Sequence, residues 1–479
     1  MAAILNEAKL RGTEEGGAFA DDFVQFLNEA VTAFHAVEAM KLRLLAAGFI
    51  QLDDGEEWRL NPMGKYFYTR NGATLVAFTV GGNYRTGDGI VALGAHTDSP
   101  CFKIKPVCCT NKDGSLMINT MPYGGGLWHT WFDRDLGVAG RIVVKGPGGA
   151  LSTKLVRIDD PIARIPNLAI HLTNAEERKA FAPNLHEHCQ AILSMDPDIV
   201  NVKPKPNEEG VANRLHPALL RMMAQHAGVN SGDIEDMELQ LIDTQPSAIG
   251  GAGGEMLFSG RLDNLCSAYQ TIRAIIDSAN DNAKLSAQKT ISMVMCFDHE
   301  EVGSSSATGA GSPIFMDTIS RIVGKLATGG ICSSEMMMRT LKKSFVVSID
   351  MAHAKHPNYT GKHDNSMAPR INGGLVIKTN ANQRYATHAV SATIFRKLAE
   401  MVSCPVQEFT VRSDSGCGST IGPIIATLSG AMVIDVGTPQ FSMHSIREMM
   451  GTEDAYNGYV HLKSALVNFA DIYAKTTVD

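Results

Sequence analysis

Apolar residues recur along the chain with two different periods. From 18 to 48, Phe23, Phe26, Leu27, Val31, Phe34, Val37, Met40 and Leu44 fall at helical spacing, which predicts amphipathic helices laid on a sheet. Residues 64–70 and 74–80 read as neighbouring strands. Residues 90–95, 291–297, 345–349 and 432–436 are short, nearly unbroken apolar runs that read as strands, and 291–297, bounded by a Gly/Ser turn, as one buried in a parallel sheet. A strand at 255–259 is followed by a helix at about 265–279. The pattern differs between about 102 and 252. Short strands at 102–107, 140–145, 154–158 and around 237–242, with the turn Gly146-Pro147-Gly148-Gly149, predict antiparallel β-structure. A helix is expected near 216–227. The polar tract 174–213 reads as long loops. The expected fold class is α/β: a mixed central sheet flanked by helices, built from 1–101 and 253–479, with an inserted, mainly β domain at 102–252.

Composition removes several functions. The 479 residues suffice for two domains. A net charge of -7 provides no basic footprint for nucleic acid, and no apolar run is long enough to span a bilayer. The N-terminal stretch carries an early acid and no hydrophobic signal core, so a secretory leader is not expected. The final Thr-Thr-Val-Asp matches no retention tag. The nine cysteines are scattered, with only Cys108 and Cys109 adjacent and no C-x-x-C. That disfavours a zinc ribbon or disulfide framework and fits reduced thiols in a cytoplasmic protein.

The chemistry concentrates where apolar runs end. The run 291–297 delivers Asp298-His299-Glu300-Glu301. Adjacent carboxylates at the tip of a buried strand are costly unless paired or bound to a cation; with a cation, one can ligate while the other handles protons. The run 90–95 delivers His96-Thr97-Asp98, a possible ligand with a carboxylate placed to orient it. Asp263, Asp350 and His444 follow other strands. His96, Asp263, Glu301, Asp350 and His444 are too many for one catalytic zinc with three protein ligands. They suit two metals about 3.5–4 Å apart that share a bridging carboxylate. No phosphate-binding loop or nucleophile elbow occurs, and Cys417 between two glycines reads as a tight turn.

The chain resembles the aspartyl aminopeptidase family of dinuclear zinc metallopeptidases. The resemblance rests on Gly94-Ala-His-Thr-Asp-Ser-Pro100, Trp131-Phe-Asp-Arg-Asp135, Ser259-Gly-Arg-Leu-Asp-Asn264, Asp298-His-Glu-Glu-Val-Gly303, Asp350-Met-Ala-His353, His356-Pro-Asn-Tyr359, Asn382-Gln-Arg-Tyr-Ala-Thr387 and Ser442-Met-His-Ser-Ile-Arg-Glu448, which span nearly the whole chain. It implies a zinc-peptidase-like catalytic domain with the insert serving dimerisation, two Zn per subunit (Co or Mn being alternatives), and release of N-terminal Asp or Glu from peptides. It implies Asp263 as the bridge, His96 and Asp350 on one metal, Glu301 and His444 on the other, and Glu300 as general base with Asp98 beside it in the catalytic set. It further implies that His171, His353, Lys378 and Tyr385 contact substrate, and that the subunits form a tetrahedral dodecamer built from dimers. His171 lies well inside the insert, so a neighbouring chain is expected to supply it. Two departures from the family pattern, Ala33 and Ser415-Gly416, touch no proposed ligand. The alternatives are a neutral metalloaminopeptidase on the same site and a non-catalytic oligomeric binding protein.

Overall fold

The four apolar runs lie side by side. The computed structural model describes residues 14–477, so the N-terminal stretch read for a leader and the last two residues of the chain lie outside the described residues. Ile291–Phe297, Ile90–His96, Phe345–Ile349 and Met432–Gly437 pair in that order, all parallel. They form the centre of a nine-stranded sheet, extended on one side by Thr74–Val80, Lys65–Arg70 and Ile50–Gln51 and on the other by Leu375–Lys378 and Val406–Phe409. The sheet is mixed. Ile291–Phe297, read above as a strand of a parallel sheet, is parallel to Ile90–His96 on one side only and antiparallel to Thr74–Val80 on the other. The apolar run reports burial on both faces and says nothing of the neighbours' direction.

Strand periodicity divides each run between two cores. Val91, Leu93 and Ala95 pack on one face with Val294, Cys296, Val347, Ile349, Ile434 and Val436, under the helices Glu14–Glu29, Ala33–Ala46, Leu262–Ala279 and Thr452–Tyr473. Ile90, Ala92, Met293, Met295, Val346 and Val433 point the other way, onto the helix Ile314–Leu326. Each full side-chain burial of this kind contributes about 1.5–3 kcal/mol. The two predicted N-terminal helices meet at Thr32, whose hydroxyl accepts the His35 N–H at 3.3 Å and caps the second. Met256–Ser259 does not join the central sheet. It belongs to a small sheet with Ala248–Gly250, Glu448–Gly451, Pro439–Phe441 and Ala352–His353.

One buried histidine in this unit predicts acid sensitivity. His461 stacks on the Phe395 ring at 3.8 Å, and its Nε2 lies 2.9 Å from the Phe395 carbonyl oxygen. Burial pushes its pKa down from 6.5 to about 4. As pH falls, the unfolded chain therefore binds the proton first. The contribution is fully present above about 6.5 and lost progressively towards 4, amounting to about 3 kcal/mol. The difference in thermal midpoint between pH 7 and pH 4.5 should shrink in His461→Phe. An unchanged difference would place the acid sensitivity elsewhere.

The chain divides into two compact units. The first comprises the described residues up to Asp98, Ser247–Met443 and those from Glu448 on. The second comprises Ser99–Pro246 with His444–Arg447. It is a six-stranded antiparallel sheet in the order Leu151–Ala163, Leu136–Lys145, Ile234–Asp243, Cys101–Lys112, Ser115–Tyr123, Ala191–Ser194. Leu219, Leu220 and Met223 of the helix Pro217–Ala227 pack into its core. The tract 174–213, read as loops, contains that last strand and the helices Ala175–Lys179, Pro197–Val200 and Glu209–Ala212. Pieces of four or five residues are too short for a hydrophobic period to show; the side chains of Asn174 and Asp196 cap the first two of these helices. His444–Arg447 is held in this unit by hydrogen bonds from the Leu127 N–H to the His444 carbonyl at 2.9 Å and from the Ile446 N–H to the Thr130 hydroxyl at 3.1 Å. Among the described residues no helix is long and apolar enough to cross a membrane. All nine cysteines are free thiols.

Candidate active site

The site of the first unit is built at the carboxyl ends of three adjacent parallel strands, where open α/β sheets bind ligands. His96 ends its strand level with Phe297. The chain leaves Phe297 through His299, whose φ of 62° lies in the left-handed region, into a single turn carrying Glu300 and Glu301. Asp350 follows Ile349 directly, and its N–H donates to the Val436 carbonyl at 3.0 Å. Backbones crowd here: a Cβ at Gly437 would fall 1.7 Å from the Asp350 carbonyl oxygen, so only glycine fits. Asp263 comes from a different direction, the first turn of the helix Leu262–Ala279. Its N–H donates to the buried Glu448 carboxylate at 3.1 Å, and the Asn264 amide donates to the Ile349 carbonyl at 2.7 Å.

These side chains converge. His96 Nε2 lies 3.2 Å from Asp263 Oδ1, 3.5 Å from Asp350 Oδ1 and 3.8 Å from Glu300 Oε2. Within this unit two overlapping donor groups, His96–Asp263–Asp350 and His96–Glu300–Glu301, each bring their ligand atoms within 4.8 Å of one another. Asp98 organises the cluster. It approaches His96 Nδ1 at 3.4 Å, and its two carboxylate oxygens accept the Glu300 and Glu301 N–H groups, each at 3.1 Å. Its own carbonyl oxygen also lies 3.0 Å from His96 Nδ1.

The electrostatics call for a cation. Burial pushes the Glu300 carboxyl up to about 8; His96 opposes this, and the Asp350, Asp263 and Asp98 charges reinforce it. Burial disfavours a charged His96, yet its contacts with Asp263, Asp350 and Asp98 outweigh that and raise its pKa well above the ordinary value. Several carboxylates this close cannot all ionise in a buried place without compensating positive charge. Imidazole and carboxylate donors, with Asp263 able to bridge, fit a pair of divalent ions.

Around this candidate dinuclear cluster sit the expected substrate contacts of the same unit. Lys378 is 2% exposed, not the surface lysine that a short strand suggests. Its Nζ lies 3.4 Å from Asp350 Oδ2 and 5.4 Å from the centre of the Tyr385 ring. His353 shows surface to solvent but sits in a concave wall, where enclosure and the Lys378 charge depress its pKa against the Asp263 and Asp350 charges. His171 lies in the second unit, exposed on a short turn, Ile170–Leu172. His444 lies with that unit too, its Nδ1 2.6 Å from the Gly125 carbonyl oxygen. Asp435 escaped the sequence reading, although an acid inside an apolar run was a visible signal. Fully buried, it accepts the Ala386 N–H and the Thr420 hydroxyl, both at 2.6 Å, and so ties down the loop that carries Tyr385.

A mixed α/β sheet carrying buried histidine and carboxylate donors at its strand ends defines a metal-dependent hydrolase. Residues 26–465 match the family described as aminopeptidase I zinc metalloprotease (M18). The chain belongs to that family and is a metal-dependent aminopeptidase. It is 45% identical over 493 residues to a probable aspartyl aminopeptidase of Ricinus communis, covering 98% of this chain and 100% of the relative. Among solved structures it is similar to Ape4 in its complex with Nbr1, with a TM-score of 0.93 and 37% identity over 97% of this chain and 88% of that one. It is also similar to the S. cerevisiae mApe1 dodecamer, with a TM-score of 0.84 and 28% identity over 95% of this chain and 98% of that one.

Proposed function

We propose that this enzyme releases N-terminal Asp or Glu from peptides with two zinc ions per subunit. The observation that carries the reading is Lys378: a buried ammonium 3.4 Å from Asp350, whose charge would suit an acidic side chain. The aspartyl aminopeptidase relative supports it. By the family resemblance, His96 and Asp350 would hold one ion and Glu301 and His444 the other, with Asp263 shared between them. When bound, the ions supply Lewis acidity at the scissile carbonyl and make water nucleophilic at neutral pH. Glu300 takes the proton of the attacking water and passes it to the leaving amine. Asp98 holds His96 and the Glu300–Glu301 turn in register for this. Lys378 and Tyr385 hold the substrate's acidic side chain, and His353 lines the substrate path.

A panel of dipeptides differing only in the first residue tests the proposal. Asp and Glu should be released, activity should stop with a chelator, and zinc should restore it, with cobalt and manganese as comparison arms. Equal release of Ala and Leu would mean that the site is a neutral aminopeptidase.

The proposal extends to the assembly. The S. cerevisiae mApe1 structure is a dodecamer, and we assign this chain a dodecamer as well, of the closed tetrahedral form built from dimers that the family resemblance implies, in the cytoplasm, where its thiols stay reduced. The insert would mediate the dimer, with His171 of one chain completing its neighbour's site and hydrogen-bonding the developing oxyanion. The exposed Leu168, Ile170 and Leu172 around His171 support an interface there. The particle mass should be about twelve times 51.5 kDa by light scattering. His171→Phe and Glu300→Ala chains should each be nearly dead alone. Co-expressed, random pairing should restore roughly a quarter of parental activity. If His171 acts within its own chain, the mixture stays as inactive as its parts.

A further inference from the structure

Beside the donor cluster, within the same unit, lies a cavity of about 350 Å³ of whose lining only His353 has a role above. His353 joins the two: it follows Asp350 by three residues, and its strand pairs with Pro439–Phe441, His353 against Gln440. Phe409 continues the wall. Its ring is 5.9 Å from that of His353 and 6.5 Å from that of Tyr385, and its carbonyl accepts the N–H of Thr379, the residue after Lys378. The cavity therefore opens next to the place where the scissile bond must lie.

Its chemistry points to the ligand. Gln440 lines it, is 2% exposed, and has neither Oε1 nor Nε2 in a hydrogen bond. An unsatisfied buried polar group costs about 1–3 kcal/mol, and a carboxamide needs an acceptor and a donor at once. A peptide amide offers both. The rim carries Lys362, Arg412, His356 and His363 against one carboxylate, Asp364. Asp364 is itself occupied, with one oxygen accepting from the Ser366 N–H, the Ser366 hydroxyl and the Met367 N–H. Arg412 is engaged by Asp414 and the Gly361 carbonyl; Lys362 is exposed, feels the Asp414 charge, and is the ammonium of the lining that a ligand carboxylate can reach.

We propose that this cavity is the subsite for the leaving part of the peptide: Gln440 pairs with the first amide beyond the scissile bond, and Lys362 attracts the carboxylate that ends a short peptide. This rests on the aminopeptidase reading but not on the preference for Asp; the test uses whichever first residue the dipeptide panel shows to be released. For that residue, X, three substrates are compared: X-p-nitroanilide, X-Ala-Ala and X-Ala-Ala-amide. Gln440→Leu should raise KM for both peptides about tenfold more than for the anilide, with kcat little changed. Lys362→Ala, at an exposed position that does not threaten folding, should raise KM for X-Ala-Ala several-fold more than for its amide. Equal losses on all three substrates, or a changed choice of first residue with no dependence on length, would overturn the proposal. The second result would make the cavity the pocket for the N-terminal side chain.

Discussion

Glu300→Ala should lose turnover by about a thousandfold, the middle of the range for general acid–base catalysis, while keeping two metal ions per chain. Glu301→Ala should lose metal as well. The two carboxylates are neighbours in sequence and share one anchor, the Asp98 carboxylate that accepts both their N–H groups. The assigned division of labour therefore depends on where each side chain points. Metal analysis decides it: if Glu300→Ala loses an ion and Glu301→Ala keeps both, the roles are reversed. A second measurement comes from protons. Stripped of metal, the Glu300 carboxyl is held at about 8 by burial and, against the pull of His96, by the Asp350, Asp263 and Asp98 charges, so at pH 7 it carries its proton. Divalent ions favour the ionised form, so metal loading at pH 7 should release protons. Glu300→Gln should release about one fewer.

Lys378→Met should cost far more on Asp-peptides than on Ala-peptides. Removing one member of a buried charge pair costs about 2–5 kcal/mol, which predicts a fall in kcat/KM of about thirtyfold to several thousandfold for the acidic substrate. The structure sharpens the test, because Lys378 also faces Asp350 at 3.4 Å. If its task is to hold Asp350 for the metal, both substrates should suffer equally and metal content should fall. If its task is to receive the substrate carboxylate, metal content stays and only the acidic preference collapses.

The frame of this protein was legible because its elements are local. Nearly unbroken apolar runs at 291–297, 345–349 and 432–436 became the central strands, since a strand buried on both faces admits few polar positions, Ser292, Ser348 and Asp435 among these. His96, Asp350, Glu300 and Glu301 could be singled out because each follows such a run within four residues, and polar residues there must face a site or be compensated. Strand direction was not legible: Ile291–Phe297 has a parallel neighbour on one side and an antiparallel one on the other. The tract 174–213 hid its elements because none is long enough to show a period.

What the sequence by itself determined was therefore the apolar strands, the helices that cover them and the polar residues stranded at their ends. Tertiary structure alone decided which distant groups meet those residues. Asp98 reaches amides about two hundred positions away. Lys378, singled out only through the family resemblance, sits on a four-residue strand enclosed between Met432–Gly437 and Val406–Phe409 and faces Asp350. Gln440 is buried in the wall of a cavity, and His444–Arg447 returns to the unit that the chain had left at Pro246. The physical reason is that periodicity reports only whether a position faces water or a core. The partner a buried polar group finds is set by the order in which strands pair, and no local pattern carries that order.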